Sequence, residues 1–212
     1  MSERSTIAEL RAIIRMLTRM DDASIEIVPA TAERWPDVER LFGTRGDPSR
    51  CWCQYHVTAN SYRAPESRQA LRDQMQGPIP PGVLAYLNDE PIGWLRISPL
   101  GQLPRIAASP SFAKVRPEIP HDTTDVWQAA CFVVKVGHRR RGVSAALLTG
   151  GVGFARDHGA KVIIGRPIDI PAVESKVFSP NLYVGALSTF LKAGFHEVLR
   201  LSPHRPLVRL VV

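Results

Sequence analysis

Long apolar segments are absent from this 212-residue sequence, and cysteine is scarce. No run approaches the roughly 20 apolar residues that span a bilayer, and charged residues interrupt the N-terminal stretch too often for a signal peptide. We therefore expect a cytoplasmic protein with no membrane partner. The three cysteines are an odd number, and Cys131 lies in a predicted buried strand, which argues against a disulfide framework.

Several ligand-binding signatures are also missing. The sequence has no Gly-Lys-Ser/Thr of a P-loop and lacks the three spaced glycines of a dinucleotide-binding fingerprint. Cys51-Trp52-Cys53 is too short for a usual zinc pair, and no second Cys or His pair follows it at ligand spacing, so we predict no metal site.

The composition fits a folded soluble domain with a basic surface. Hydrophobic residues make up 44% and charged residues 22% of the chain, ordinary values for a globular protein. The net charge of +7 suits an anionic ligand or nucleic acid, and charge alone does not separate these. The length predicts one domain over residues 23–212, preceded by a helical extension over residues 1–22.

Hydrophobic periodicity predicts an α/β fold, in which a β-hairpin over 83–97 and a parallel strand–helix–strand unit over 126–166 together make a mixed sheet. We expect strands over 24–29, 83–87, 92–97, 126–134, 161–165, 194–200 and 206–212. Helices are predicted over 5–20, 31–42, 65–75, 143–158 and 183–193, with Thr31 as an N-cap. The proline-containing connections at 44–64, 99–124 and 167–182 are expected to be irregular, with room for one short helix in the second.

A buried strand, a basic turn and a helix follow one another between Cys131 and Leu148. Gly137 and Gly142 bracket the run His138-Arg139-Arg140-Arg141, and helix-forming residues begin directly afterwards. The first N–H groups of a helix lack intrahelical acceptors, and the local dipole is positive. This turn is therefore predicted to bind a phosphate or pyrophosphate.

Two segments carry a resemblance to the GNAT acetyltransferase superfamily. Arg139-Arg-Arg-Gly142-Val-Ser144 resembles the family's acyl-CoA-binding motif Gln/Arg-x-x-Gly-x-Gly/Ala, with serine at the last small position. About fifty residues later, Phe190-Leu-Lys-Ala-Gly194-Phe195 resembles the family's Tyr-x-x-x-Gly-Phe helix end. The resemblance covers roughly residues 24–212 and implies the GNAT fold, a central mixed, twisted sheet flanked by helices, with the helix over 5–20 as an extra element.

The resemblance implies transfer of an acyl group, most simply from acetyl-CoA, to an amine of a small molecule or peptide by direct attack in a ternary complex. It also implies that the strand edge and the turn hold the acyl-CoA, through Phe132, Val133, Val134, Arg139, Arg140, Arg141, Gly142, Val143, Ser144 and Ala145. A module of the same fold that binds acyl-CoA without turnover is the alternative. The arginine run would also attract nucleic acid, but no aromatic platform or recognition helix accompanies it, so we expect no nucleic-acid partner.

The proton carriers are less clearly marked. Many relatives have a tyrosine acid where this chain has Phe190, so Tyr183 and Ser188 are the substitute candidates. Gln128 stands where some relatives have a glutamate base, and it can orient a water but not take a proton. Trp52 and Tyr55 are candidate walls of the acceptor pocket, with core packing as the other interpretation. A homodimer is possible on this sequence.

Overall fold

A seven-stranded mixed sheet forms the centre of the fold in the computed structural model, which describes residues 24–58, 64–119, 124–173 and 179–212. The strands lie in the order β1-β2-β3-β4-β5-β7-β6. Of the described strand pairs, β4 with β5 is parallel and the others are antiparallel. The strands are β1 (Glu26–Pro29), β2 (Gly82–Leu87), β3 (Glu90–Pro99), β4 (Val126–Val134), β5 (Val162–Gly165), β6 (His196–Ser202) and β7 (Arg205–Val211).

All the predicted strands are present, and the predicted mixed sheet is confirmed. β3 is longer than expected, because it continues past the predicted end at residue 97 to Pro99. The β2–β3 hairpin turns through Asn88 and Asp89, whose φ angles of 51° and 61° are both left-handed. Such a two-residue turn matches the right-handed twist of the paired strands.

Helices cover both faces of the sheet. They are α1 (Trp35–Phe42), α2 (Asp47–Cys51), α3 (Ala64–Gln74), α4 (Pro104–Ala107), α5 (Pro110–Val115), α6 (Val143–Asp157) and α7 (Leu187–Lys192). One face of the sheet packs against α6, and its core includes Leu95, Phe132 and Leu147. The other face packs against α1 and α3 around Trp35 and Trp94.

Glycines allow α6 to lie close to the sheet. A β-carbon built on Gly93 of β3 would be 2.9 Å from Val143 Cγ1, and one on Gly150 of α6 would be 2.5 Å from Ile27 Cγ2. Such distances are too short for real side chains, so this approach needs glycine at both positions. The close packing fixes the N-terminus of α6 beside the end of β4.

Three helical predictions need correction, and one falls outside the described residues. The predicted helix over 183–193 begins only at Leu187, because Gly185 has a φ of 81° and the preceding Ser179–Val184 forms a 3-10 helix. The predicted helix over 31–42 starts as a 3-10 turn, and Thr31 makes no side-chain capping bond. The segment over 99–124 contains two short α-helices, α4 and α5. The predicted helix over 5–20 lies outside the described part of the chain.

Candidate functional site

The turn between β4 and α6 presents a row of backbone N–H groups to the surface. Gly137, Arg140 and Gly142 have φ angles of 94°, 61° and 81°, and α6 begins at the next residue. Within the described residues, the N–H groups of 139–144 donate to no backbone acceptor. The N–H of Ala145, by contrast, is already paired, because it donates to the Gly142 carbonyl at 2.9 Å.

The same turn carries exposed positive charge and is tied to the hairpin. Arg140 and Arg141 are exposed, and Arg139 Nε donates to the Val134 carbonyl at 3.3 Å. Lys135 donates to the Glu90 carboxylate, and this hydrogen bond is the main cause of the lowered pKa of Glu90. The turn therefore combines free N–H donors, a helix N-terminus and guanidinium groups, the features that favour pyrophosphate.

Strand β4 has an open edge next to this turn. It pairs with β5 only from Val126 to Ala129, whereas its pairing with β3 continues to Val134. Residues 130–134 therefore have a strand neighbour on one side only among the described strands. The 3-10 helix Ser179–Val184 packs beside this edge.

A β-bulge changes which side chains of β4 face this region. Arg96 of β3 pairs with Cys131 and Ile97 pairs with Ala129, so Ala130 is the extra residue. Gln128, Ala130 and Cys131 consequently line the same cavity, although strict alternation would place Ala130 and Cys131 on opposite faces. The bulge thus brings Gln128, Ala130 and Cys131 of β4 to the same cavity.

The cavity has a volume of about 790 Å³, within the range of small-molecule sites. Its walls come from α2 and the following 3-10 turn, from α4 and the start of α5, from β4, and from the β6–β7 turn. Four predicted site residues meet here: Tyr55, Gln128, Val133 and Tyr183. The side-chain oxygen of Gln128 is buried without a hydrogen-bond partner in the described structure.

Tyr183 belongs to the 3-10 helix that packs beside β4. It lines the cavity and is half-buried. Burial raises the pKa of its hydroxyl, the charge of Asp47 raises that pKa further, and Arg139 of the turn lowers it. The hydroxyl therefore keeps its proton at neutral pH, as a general acid must.

His56 occupies a strongly positive part of the cavity. Burial, followed by the charges of Arg96, Arg105 and Arg166, lowers the pKa of His56 to about 4, while a hydrogen bond with the Ala130 backbone opposes the shift. The imidazole is therefore neutral at pH 7. A group with so low a pKa is a weak base for an ammonium proton.

The three cysteines are free, and burial keeps the thiols of Cys51 and Cys53 protonated. Burial raises the pKa of the Cys51 thiol to about 12, and burial also raises the pKa of Cys53, whose side chain hydrogen-bonds to Cys131. A thiolate is the reactive form of cysteine. Neither Cys51 nor Cys53 is therefore prepared to act as a nucleophile, although Cys51 and Cys131 line the cavity.

Other predicted residues lie away from the cavity. Trp52 is 5% exposed and stacks on Trp35 with ring centroids 5.6 Å apart, so it packs in the core instead of lining the pocket. Ser188 is exposed on α7 and does not line the cavity. Phe132 points to the opposite face of the sheet, where its ring meets Phe190 edge to face at 5.9 Å. Phe190 itself is fully buried.

The sequence interpretation missed several residues that line the cavity. Asp47, Arg105, Arg166 and His56 come from three separate segments, and no local motif links them. Arg166 carried one usable signal, because it directly follows β5, and ligands bind beyond the carboxyl ends of parallel strands. The others follow from tertiary packing.

The described residues contain neither a group of metal ligands nor a membrane-spanning helix. No three His, Cys, Asp or Glu side chains group closely enough to hold a metal ion. Among the helices of this part of the chain, none is both long enough and apolar enough to cross a membrane.

Comparisons with known proteins agree with this architecture. The sequence model of the Acetyltransferase (GNAT) family matches residues 49–172, more than half of the chain. No curated protein sequence matches. The GNAT domain of S. lividans PAT is similar in structure, with a TM-score of 0.56 and 17% identity, over 91% of this chain and 93% of that one.

Two further solved structures have a TM-score of 0.52. A GCN5-related N-acetyltransferase from Kribbella flavida is 14% identical over 89% of this chain and 98% of that one. A ribosomal-protein-alanine N-acetyltransferase from Brucella melitensis is 12% identical over 88% and 99%. At these identities the likeness shows the fold. Together with the sequence match, it establishes that this chain belongs to the GNAT acetyltransferase family.

Proposed function

We propose that the protein transfers an acyl group, most simply acetyl, from acyl-CoA to an amine. The observation that carries the proposal is the meeting of three features at one strand end: the N–H groups of 139–144, the open edge of β4, and the cavity. Family membership supports acyl transfer in general. In this proposal the open edge of β4 connects the pyrophosphate site at the turn with the acceptor site in the cavity.

The residues fit an acyl-CoA along this path. Residues 139–142 are exposed, and a β-carbon at Gly142 would meet nothing within 4 Å, so the surroundings of the turn leave room for a ligand. Arg139, Arg140 and Arg141 would add charge, and Val143 and Ser144 complete the helix start. The edge formed by Phe132, Val133 and Val134 offers backbone groups to a pantetheine arm. Acetyl-CoA would supply an activated thioester carbonyl.

The chemistry requires a balanced transfer of protons. The ammonium nitrogen loses one proton to water before it attacks the acyl carbon, and it loses a second proton as the amide forms and the carbon–sulfur bond breaks. The sulfur takes up one proton from an acid, the second nitrogen proton restores that acid, and one proton is released to solvent overall. In this proposal Tyr183 donates the proton to the sulfur. Gln128, with its unused acceptor oxygen, orients the water that accepts the ammonium proton.

A binding module without turnover is the second candidate. Phe190 favours it, because this position has no hydroxyl and is fully buried away from the cavity. Such a protein would bind acyl-CoA as a sensor or scaffold.

Free-thiol release separates the two candidates. The protein is incubated with acetyl-CoA and a panel of small amines and lysine peptides, and calorimetry measures acetyl-CoA binding in parallel. Amine-dependent release of CoA with a matching N-acetylated product supports the transferase. Tight acetyl-CoA binding without release for any amine supports the binding module, and absence of acetyl-CoA binding overturns both.

A further inference from the structure

The charges that line the cavity are unevenly distributed. Four arginines line it, Arg50, Arg105, Arg166 and Arg205, against one carboxylate, that of Asp47. His56 is neutral at pH 7 and does not change this balance. A site that must only receive an alkyl amine would gain nothing from this excess of positive charge, because an ammonium is repelled by guanidinium groups.

Arg166 is the best placed of these arginines to bind an anion. It is half-buried directly after β5, and its Nη2 donates to the Ser111 hydroxyl at 2.7 Å. No carboxylate among the described residues forms an ion pair with it. A guanidinium has five N–H donors in a planar fork, so most of this group's donors remain for a ligand.

Arg105 is held in position on the same side of the cavity. Its guanidinium carbon lies 4.1 Å from the centre of the Tyr55 ring, and its Nη1 donates to the Tyr55 carbonyl at 3.3 Å. Both Arg105 and Arg166 act on His56, and Arg205 acts on Arg166, so these positive charges converge on one end of the cavity. Fixed donors bind an anion with less entropy loss than mobile ones.

One further arginine lies on the strand next to β4. Arg96 is 1% exposed, it pairs across the sheet with the cavity residue Cys131, and its Nη2 donates to the Gln74 side-chain oxygen at 2.9 Å. Its Nε and Nη1 have no partner within the described residues. The positive charge of this group is not neutralised locally and adds to the potential at the basic end.

The part of the cavity around Tyr183 has different chemistry. Asp47 and Tyr183 both line the cavity, and the Asp47 charge raises the pKa of the Tyr183 hydroxyl. The 3-10 helix that carries Tyr183 packs beside β4, whose open edge leads to the basic turn, so Tyr183 lies on the side proposed for acyl-CoA. A carboxylate is the natural partner of an ammonium group.

We propose that the acceptor is a small amine that also carries a carboxylate or phosphate group, with the anionic group bound by Arg105 and Arg166 and the amine directed toward Asp47 and Tyr183. This inference rests on the proposed acyltransferase function. The cavity volume of about 790 Å³ suits a metabolite of this kind.

Matched amines test the proposal. Glutamate and 4-aminobutyrate represent carboxylates and O-phosphoethanolamine represents phosphates, with butylamine and ethanolamine as counterparts that lack an anionic group. We expect kcat/KM to be about 10- to 100-fold higher for at least one anionic class than for its counterpart, the range that charged hydrogen bonds provide. Which class is preferred distinguishes carboxylate from phosphate. Equal or better use of the amines without an anionic group overturns the proposal.

Variants of the full chain locate the anion site. Arg166→Gln should raise KM for the preferred anionic amine, leave its kcat largely unchanged, and leave the kinetics of the amines without an anionic group unaffected. Arg156→Gln, an exposed arginine on α6 outside the cavity, is the matched control. If Arg166→Gln fails to fold by circular dichroism, Arg105→Gln replaces it. An equal loss of kcat for every amine contradicts a role in acceptor recognition.

Calorimetry provides a readout that does not require turnover. The same amines are titrated into the protein saturated with acetyl-CoA. If no amine is acetylated but an anionic amine binds and Arg166→Gln abolishes that binding, the transferase proposal fails and the anion site stands. If amines are acetylated without preference for an anionic group, the transferase proposal stands and the acceptor inference fails. Absence of both binding and turnover for the anionic amines overturns the inference.

Discussion

Phe190 lies so close to Gly165 that a β-carbon on the glycine would be 2.3 Å from Cε1 of the phenylalanine. The ring cannot easily move, because it is fully buried between Phe132 and Phe195, with centroid distances of 5.9 and 5.1 Å. We therefore expect Gly165→Ala to lower the free energy of unfolding by about 1–3 kcal/mol through overpacking.

Gly153→Ala is the control for this substitution. Gly153 lies within α6, and a β-carbon there would meet nothing within 4 Å. Alanine should raise stability there by about 0.5–1 kcal/mol, because glycine is a poor helix former. Urea denaturation measures both variants, and equal effects of the two would show that the Phe190 ring adapts freely.

Gly142→Ala should weaken acetyl-CoA binding. The alanine must adopt a φ near 81° at a cost of about 1–2 kcal/mol, and relief of this strain would disturb the turn that presents the free N–H groups. Gly159→Ala at the other end of α6 has a φ of 89° and equally open surroundings. Both variants should lose similar stability in thermal unfolding, but only Gly142→Ala should lose affinity in calorimetry. Unchanged affinity would remove the turn from the acyl-CoA site.

Tyr183→Phe should lower kcat and leave acetyl-CoA affinity unchanged, because it removes the proposed acid without changing the shape of the cavity wall. Ser188→Ala tests the other candidate, whose side chain is exposed outside the cavity. A fall in kcat for Ser188→Ala alone would exchange the two assignments. Since burial raises the pKa of Tyr183 above its usual value of 10, its protonated form should persist through pH 9 and the rate should not fall there from its titration.

His56 should make the fold sensitive to acid. Its pKa is about 4 in the folded protein and about 6.5 in an unfolded chain, so the unfolded state binds more protons between these values. Stability therefore falls as the pH drops through this window, by up to about 3 kcal/mol. His56→Gln should lose less stability than the wild type between pH 7 and pH 4.5 in urea denaturation. An identical loss in both proteins would contradict the buried, neutral imidazole.

Local sequence patterns predicted the strands and the basic turn but not the cavity. The turn before Val143 was predictable because the strand, the glycines and the helix formers are adjacent in the chain. For Trp52 the sequence leaves both a pocket wall and core packing open, because a tryptophan suits either place. The stacking on Trp35 in the structure separates the two interpretations. The start of α7 could not be located from the sequence, because the chain turns at Gly185 with a left-handed φ. The rings of Phe132 and Phe190 lie where a side chain at this position would be, and this packing is nonlocal.

Arg105 and Arg166 could not be brought together from the sequence for a related reason. Arg105 follows a proline at the start of a four-residue helix, and Arg166 follows a strand sixty-one positions later. Their common location depends on the packing of α4 and α5 over the sheet, where Ile106, Phe112 and Ile164 share one apolar cluster. Nonlocal packing of this kind leaves no spacing pattern in the chain.

Apart from β4, the walls of the cavity come from separate connections, whereas the strand, turn and helix proposed to hold the acyl donor form one continuous piece from Val126 to Asp157. Changes in α2 or α4 would therefore alter the proposed acceptor site and leave this piece whole. The chain is accordingly suited to redesign, because grafting these two connections from another member of the family would change the cavity walls while the proposed acid Tyr183 and the proposed donor-binding piece stay in place.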